Sequence, residues 1–296
     1  SEDEVMHAYQ YNGSAATPGF SRRFVNAHIA HPLPEDGIGY LPIPGIKPIL
    51  GLIPLACGCA NAELKVGTMS NPGYPIPANW CDFHPNVTHY NLPLSSDNGF
   101  RFCIEDIEDG THLLMINYPH NPSGRVADAS WFSEICAFCV DNDIRIFNDS
   151  AYFCLSHSGD SVALSQIANN FPDLSWVEGF TAAKLIGNGT GWHVGSLVGS
   201  EDFIDDLKEV KGKTDAGFVA PMAAGVLAAI ENDQQGISEY REMYSQRLRV
   251  LISILTDCGM RLAIYPEAGF YTLWNVPAEA FGEEIQSAEH FNFLMI

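Results

Sequence analysis

Basic residues are scarce in this chain of 296 residues. Lys and Arg together number 15 against 36 Asp and Glu, so the formal net charge is −21. A field of that sign repels phosphate backbones and anionic membrane surfaces. The composition therefore argues against nucleic acid or a membrane as a partner, and its simplest meaning is solubility or a salt-adapted source.

Long apolar runs and paired cysteine motifs are also lacking. No apolar run is long enough to cross a bilayer, and the start SEDEVMHAYQ has no basic residues followed by an apolar stretch. Among eight cysteines, only Cys57/Cys59 and Cys136/Cys139 are closely spaced, and neither pair has the second pair that a zinc site needs. Cys136 and Cys139 fall at helical spacing, which favours core packing over a metal or redox role. We expect a reduced, cytoplasmic protein without a metal site.

The chain contains enough apolar residues, 46%, to bury a large domain and a smaller one. Short apolar runs alternate with segments of helical period, which predicts an α/β fold with helices on both faces of a mostly parallel sheet. The predicted strands are Leu64–Ser70, Leu113–Tyr118, Ile144–Asn148, Leu174–Phe180 and Val194–Gly199. The predicted helices are Ile46–Ala60, Ala129–Asp141, Ser161–Asn169, Phe203–Lys211 and Pro221–Glu231.

A long amphipathic segment follows from about Ser238 and ends at Gly259, as a connecting helix would. Two strand-like segments, MRLAIYP and AGFYTLWNVP, come after it. We therefore expect a large domain over residues 1–235, and an interdomain helix with part of a small α+β domain over residues 236–296.

Polar side chains follow three of the predicted strands, where open α/β sheets bind ligands. Asn121 stands in NPSG, a sequence that also makes an ordinary turn. Asp149 and Tyr152 follow the next strand; the carboxylate could cap a helix, or hold a proton on a heteroaromatic nitrogen. Lys184 follows a third strand and lies among small residues, where desolvation favours a nucleophilic amine over a solvated surface charge.

Two upstream segments carry weaker signals. PIPGIKPILG places Gly45 at the predicted start of a helix, where the backbone N–H groups of residues 45–47 could hold a phosphate. Tyr74 lies in a Pro/Gly turn after a strand, and its ring could stack on a flat cofactor or pack in the core.

In chain order, these motifs resemble fold-type I pyridoxal-phosphate aminotransferases of the aspartate aminotransferase superfamily, class I/II. The resemblance rests on G-I-K-P at 45–48, N-P-G-Y-P at 71–75, Y-P-H-N-P-S-G at 118–124, N-D-S-A-Y at 148–152 and T-A-A-K through G-W-H-V-G at 181–195. TPGFSRRFVNAHI at 17–29 and AGFYTLWNVP at 268–277 resemble the family's entry segment and small-domain strand. The resemblance thus spans nearly the whole chain and implies the family's three-layer large domain.

The resemblance also implies a role for each residue. Lys184 would form the Schiff base with pyridoxal 5'-phosphate and carry the proton, Asp149 would face the pyridine nitrogen, and Asn121 and Tyr152 the phenolic oxygen. Tyr74 would stack on the ring. The phosphate would be held by Gly45, Ile46, Lys47 and Thr181.

Three departures from the family's pattern stand out. His193 occupies the place of a phosphate-binding arginine, unless it packs in the core or the glycine loop moves it away; a neutral imidazole offers one donor instead of a charged fork. Ile46 stands where a small hydroxyl residue is common. The chain also starts without the usual N-terminal arm, and stops before the strand that supplies the arginine for the substrate's α-carboxylate, so we expect it to be a piece of a longer protein.

The activity that the resemblance implies is transfer of an amino group between an amino acid and a 2-keto acid, by a cytoplasmic homodimer. A lyase reaction on the same scaffold, such as β-elimination, is the enzymatic alternative, because the lysine and the cofactor contacts do not determine which bond at Cα breaks. A non-catalytic descendant with a binding or regulatory role is the alternative from another class.

Overall fold

The computed structural model describes residues 19–186, 189–215 and 219–296. Residues 17–18 of the predicted entry segment lie outside the described residues. So do residues 187–188 of the glycine-rich stretch after Lys184. The central sheet contains the strands β1 (Ile38–Ile43), β2 (Leu64–Thr68), β3 (Val87–Asn91), β4 (Leu113–Ile116), β5 (Arg145–Asp149), β6 (Trp176–Thr181) and β7 (Gly195–Ser200).

The strand order in this sheet is β1-β7-β6-β5-β4-β2-β3. Pairing is parallel from β6 through β5, β4 and β2 to β3, whereas β7 is antiparallel to both of its neighbours. The prediction of a mostly parallel sheet is confirmed. Because β4, β5 and β6 are neighbours running in one direction, the segments that leave them meet at one edge of the sheet.

Helices cover both faces of the sheet and form a three-layer α/β structure. Residues next to each other in a strand point to opposite faces, as Ile146 and Phe147 of β5 do. One core lies under α1 (Phe20–Asn26), α4 (Ala129–Asp141), α5 (Leu164–Ala168) and α7 (Ala220–Asn232). The other lies under α2 (Ile53–Ala56), α3 (Ile76–Asp82) and α6 (Glu201–Lys211).

All five predicted strands are present, with ends shifted by a few residues. Two strands escaped the sequence analysis, and both lie at an edge of the sheet. The β3 sequence VTHYN is partly exposed and lacks a continuous apolar run. The β1 sequence IGYLPI contains Pro42, which edge strands tolerate because one side of their backbone is unpaired.

The predicted helix Ile46–Ala60 is wrong. That segment folds as a 3₁₀ turn over Lys47–Ile49, followed by the single helical turn α2. Each piece has a proline at its start, Pro48 and Pro54. Proline lacks the N–H of a helical hydrogen bond, and its ring clashes with the carbonyl four residues earlier, so a helix can begin there but cannot continue through it.

The C-terminal part begins with the long helix α8 (Gln234–Asp257). This helix starts four residues before the predicted Ser238, because Asp233 caps it by accepting a hydrogen bond from the N–H of Gly236. Short antiparallel pairs follow: β8 (Leu262–Ile264) with β9 (Leu273–Trp274), and β10 (Glu279–Ala280) with β11 (Glu283–Glu284). The helix α9 (Ala288–Met295) comes last.

The closely spaced cysteines of α4 are buried. Cys136 and Cys139 lie in the core under that helix, and burial raises the pKa of the Cys136 thiol to about 12. They pack as small apolar residues, as predicted. Within the described residues no helix is long and apolar enough to cross a membrane.

The core under α4 supplies a test of the fold. Phe132 is 0% exposed, whereas Phe83 at the end of α3 is 73% exposed. We expect Phe132→Ala to lower the free energy of unfolding by about 3–5 kcal/mol, since it leaves a cavity among packed side chains. Phe83→Ala should cost less than about 1 kcal/mol. Urea denaturation followed by circular dichroism measures both, and equal losses would contradict the layer assignment.

Candidate functional site

A cavity of about 390 Å³ lies at the carboxyl ends of the parallel strands. Segments after β4, β5 and β6 line it, and the link after β1 closes one side. The structure brings all ten predicted site residues to this cavity: Gly45, Ile46, Lys47, Tyr74, Asn121, Asp149, Tyr152, Thr181, Lys184 and His193. Their convergence depends on long-range pairing, since the first and the last are far apart in the chain.

Asp149 is the last residue of β5 and is 6% exposed. Its Oδ1 accepts the backbone N–H of Ala151 at 3.0 Å. Burial raises the pKa of the carboxyl to about 6, although that N–H and the nearby Lys184 favour the charged form. The next helical turn, Phe153–Leu155, has no side-chain cap, so Asp149 does not act as a helix cap.

Lys184 lies in the turn after β6 and is only partly exposed. Its Nζ is 5.6 Å from the ring centre of Tyr152 and 5.4 Å from that of Phe270. Both distances allow a cation–π contact. The amine therefore lies beside a pair of aromatic rings in the cavity lining.

Tyr152 is 7% exposed, and its ring packs edge-on against Phe270 and Tyr271. Burial and a hydrogen bond to Tyr271 raise the pKa of its hydroxyl. Tyr74 lines another wall, where burial and the nearby Asp149 raise the pKa of its hydroxyl. Gly73 makes the Tyr74 turn possible, because a Cβ there would lie 1.8 Å from the carbonyl oxygen of Met69.

The glycine link after β1 approaches the end of β6. Gly45 has φ +96°, and a Cβ there would lie 4.0 Å from Oγ1 of Thr181. Within the described part of the chain, the backbone N–H groups of Gly45 and Ile46 donate to no protein acceptor. His193 is exposed, with φ +53°, and lines the cavity, so it is not a core histidine.

Sequence reasoning missed Asn117 as a residue of this cavity. It lies just after β4 and is buried; its Nδ2 donates to the carbonyl oxygen of Asp149 at 2.7 Å. Its Oδ1 accepts the backbone N–H of Asn121 at 3.0 Å. A polar residue directly after an apolar strand was the available signal, but its partner at the end of β5 follows only from the pairing of the strands.

Phe270 and Tyr271 were also missed as site residues. They lie in AGFYTLWNVP, beyond the helix α8. The carbonyl of Gly269 lies 2.8 Å from Nε2 of His157, and the N–H of Gly269 donates to the carbonyl of Leu155 at 3.0 Å. These contacts hold the segment against the chain after β5, which no local pattern in the sequence reveals.

A family model, aminotransferase class I and II, matches residues 41–294. The chain belongs to this family. It is 30% identical over 260 residues to the LL-diaminopimelate aminotransferase of Methanocaldococcus jannaschii, covering 85% of this chain and 59% of that protein. It is also 30% identical over 217 residues to the enzyme of the same name from Moorella thermoacetica, covering 72% and 54%. The chain thus spans less than two thirds of the length of these relatives.

Solved structures of the family share the fold at lower identity. An aminotransferase from Staphylococcus aureus superposes with a TM-score of 0.83 at 19% identity, covering 100% of this chain and 78% of that one. A probable N-succinyldiaminopimelate aminotransferase from Thermus thermophilus gives 0.75 at 19%, covering 95% and 77%. The predicted three-layer fold of this family is confirmed.

Members of the class I and II aminotransferase family use pyridoxal 5'-phosphate, as the resemblance implied. The donor set of the cavity fits that group. It combines the amine of Lys184 with the buried carboxyl of Asp149. It also contains the backbone N–H groups of Gly45 and Ile46, which donate to no acceptor in the described part of the chain, and the nearby hydroxyl of Thr181. These are partners for an aldehyde, a ring nitrogen and a phosphate, respectively.

The buried carboxyl predicts a pH-dependent stability for the cofactor-free chain. The pKa of Asp149 is about 6 in the folded chain, against about 4 for an ordinary aspartate. The folded state binds this proton more tightly, so the contribution to stability is complete below pH 4 and is lost as the pH rises through 6. We expect Asp149→Asn to raise the free energy of unfolding at pH 7.5 by up to about 3 kcal/mol, and to have little effect at pH 4.

Asp128 provides the opposite control. A backbone N–H from Trp131 and nearby polar groups lower the pKa of its carboxyl to about 2. Its contribution is present above pH 4 and is lost as the pH falls through 2, so Asp128→Asn should destabilise the chain at pH 7.5. Urea denaturation at both pH values measures the two effects. A loss of stability at pH 7.5 in Asp149→Asn would contradict the burial argument.

Proposed function

We propose that this chain is the catalytic part of a pyridoxal-phosphate-dependent aminotransferase, which moves an amino group between an amino acid and a 2-keto acid. The observation that carries the proposal is the placement of the Lys184 amine and the buried Asp149 carboxyl in one cavity. Family membership and the aminotransferase relatives support it. When bound, the cofactor supplies an electron-withdrawing ring that accepts the electrons released at the substrate's Cα.

Lys184 would hold pyridoxal phosphate through its Nζ. The same amine would serve as the base that takes the proton from the substrate's Cα and as the acid that gives it back. The rings of Tyr152 and Phe270 flank this amine and restrict where it can move. A proton carrier must stay within about 3 Å of both atoms that it serves, so such restriction favours the transfer.

Asp149 would keep a proton on the ring nitrogen of the bound cofactor. A carboxylate that is shielded from water interacts strongly with a nearby cation, so pairing with a protonated nitrogen would offset the cost of ionising it. Asn121 and Tyr152 would donate to the phenolic oxygen of the cofactor, and Tyr74 would stack on its ring. The N–H groups of Gly45, Ile46 and Lys47 would hold the phosphate. Thr181 and His193 would add side-chain donors to the same group.

Relatives with the same name suggest the substrate class. The curated relatives at about 30% identity are LL-diaminopimelate aminotransferases. We therefore propose an amino acid with a second polar group as the amino donor, and diaminopimelate is the first compound to assay. The lyase reaction and the non-catalytic role are not favoured, because these relatives are aminotransferases.

A homodimer in the cytoplasm, with the domain boundary near residue 235, completes the proposal. Exposed apolar side chains support the dimer: Trp192, Val219 and Met222 are 37%, 53% and 40% exposed. Trp192 also packs against Gly225 of α7. A cofactor-filled protein that elutes as a monomer would contradict this part alone.

The activity is tested by adding single amino acids to the cofactor-loaded protein without a keto acid. An aminotransferase converts its cofactor once to the pyridoxamine form, and the visible absorbance band shifts into the ultraviolet in proportion to the keto acid released. Release of ammonia with retention of the visible band would indicate a lyase instead.

Lys184→Ala tests the central assignment. We expect borohydride to fix far less pyridoxal phosphate to the variant, because the other lysine of the cavity lining, Lys47, is exposed and lies in the link after β1, while circular dichroism shows an unchanged fold. Lys213→Ala is the matched control, since that lysine is exposed and pairs with Glu209 on the surface. Mass spectrometry of the reduced proteins reads out the difference. Equal labelling of both variants would remove Lys184 from the site.

His193→Arg tests the phosphate end. Arginine stays charged and binds two phosphate oxygens together, whereas imidazole is mostly neutral above pH 7. We expect the variant to bind pyridoxal phosphate about tenfold more tightly at pH 8.5, with a smaller gain at pH 6. Titration of the cofactor-free protein at both pH values measures this. Equal affinities of the variant and the parent chain at both would place His193 away from the phosphate.

A further inference from the structure

A buried carboxylate, Glu178, lies in β6 behind the site, on the face of the sheet turned away from the cavity. It is 0% exposed, and within the described residues it forms no ion pair. Burying such a group is costly unless hydrogen bonds replace its water. Four donors do so here: the side chains of Asn148 and Ser150, and the backbone N–H groups of Leu164 and Ser165.

Two of these donors stand on either side of Asp149 in the chain. Oε1 of Glu178 accepts Nδ2 of Asn148 at 3.0 Å and the hydroxyl of Ser150 at 2.5 Å. The strand register pairs Asn148 with Glu178 and Asp149 with Gly179. Neighbouring side chains of a strand point to opposite faces. Glu178 therefore bonds the residues before and after Asp149 on one face of the sheet, while the Asp149 carboxyl faces the cavity on the other.

The same contacts reach the segment that carries Asn121. Oδ1 of Asn148 accepts the backbone N–H of Tyr118 at 2.9 Å, and the Ser150 hydroxyl lies 3.2 Å from the Tyr118 carbonyl oxygen. One carboxylate thus connects the ends of β4, β5 and β6, which lead to Asn121, Asp149 and Lys184.

The N-terminus of α5 keeps Glu178 itself in place. The N–H of Leu164 donates to Oε1 at 3.0 Å and that of Ser165 to Oε2 at 2.8 Å. Both oxygens are therefore engaged, and the carboxylate cannot rotate without breaking several bonds. A negative charge is favourable at the start of a helix, which lowers the cost of burying it.

We propose that Glu178 is a positioning residue that fixes the orientation of Asp149 toward the cofactor ring, through Asn148 and Ser150. The inference rests on the proposed function. Every partner of Glu178 is a donor, so a glutamine in its place turns its amide N–H toward one of them, and its neutral oxygen accepts the flanking bonds more weakly than a carboxylate does. Glu178→Gln would thus loosen the flanks of Asp149 with almost no change in volume.

The test compares the parent chain with Glu178→Gln, Ser150→Ala and Asp128→Asn, each freed of cofactor and titrated with pyridoxal phosphate. Ser150→Ala removes one flanking bond only, and gives a result if Glu178→Gln does not fold. Asp128→Asn also alters a carboxylate at a helix start, but one that lies outside the cavity. Visible circular dichroism per bound cofactor reports the orientation of the ring, which a loss of global stability alone would not change.

We expect the Kd for pyridoxal phosphate to rise about tenfold in Glu178→Gln and about threefold in Ser150→Ala. The visible dichroism per bound cofactor should fall by about half or more in Glu178→Gln, and Asp128→Asn should match the parent in both readouts. The inference alone would be overturned if the parent binds pyridoxal phosphate and Glu178→Gln has the same Kd and dichroism as the parent. If only Ser150→Ala folds, the same result in that variant would overturn it. Failure of the parent to bind pyridoxal phosphate would overturn the proposed function, and the inference with it.

Discussion

Parallel pairing of β4, β5 and β6 is the constraint on which the candidate site depends. Side chains that follow a strand can meet only if their strands are neighbours and run in the same direction. Here three neighbouring strands deliver Asn121, Asp149 and Lys184 to one edge. The pairing is made secure by burial on both faces, since all the residues of β4 and β6 are buried. Each such strand must keep its register, or its apolar side chains would change faces.

Electrostatics inside the cavity differ from those of the molecule as a whole. The chain carries a net charge of −21, yet the titratable groups of the cavity include two lysines and one buried carboxyl. The amines of Lys47 and Lys184 favour anionic ligands there, while the outer surface repels them. The carboxyl is raised to a pKa of about 6 by the same burial that would strengthen its pairing with a ring cation. The charges of the cavity thus favour anionic ligands although the net charge of the chain has the opposite effect.

Buried polar groups connect the strand ends to one another. Asn117 connects the segment after β4 to the last residue of β5 on the cavity side, and Glu178 connects β6 to both from the opposite side. Hydrogen bonds of this kind are strong where water is excluded, and expensive to leave unmade. They hold the site residues on the ends of rigid strands, where small displacements would otherwise reduce binding and rate.

The sequence alone was sufficient for the local parts of this structure. Apolar runs predicted the five strands in the interior of the sheet, and helical period predicted α4 with its correct ends. The ordered motifs named ten residues between Gly45 and His193 that line the cavity, although they did not name Asn117. Each of these signals comes from a short stretch whose own pattern of apolar, polar and glycine residues is distinctive.

Only the tertiary structure decided what depends on contacts between distant segments. The edge strands β1 and β3 have weak patterns of their own and are held in place by their neighbours. Phe270 approaches Lys184, and Glu178 lies behind Asp149, because of chain paths and strand registers that no single segment specifies. A hydrogen bond or ring contact between residues distant in sequence exists only once both segments are packed. The physical reason is that local patterns determine the elements, whereas burial and polar satisfaction between elements determine the site.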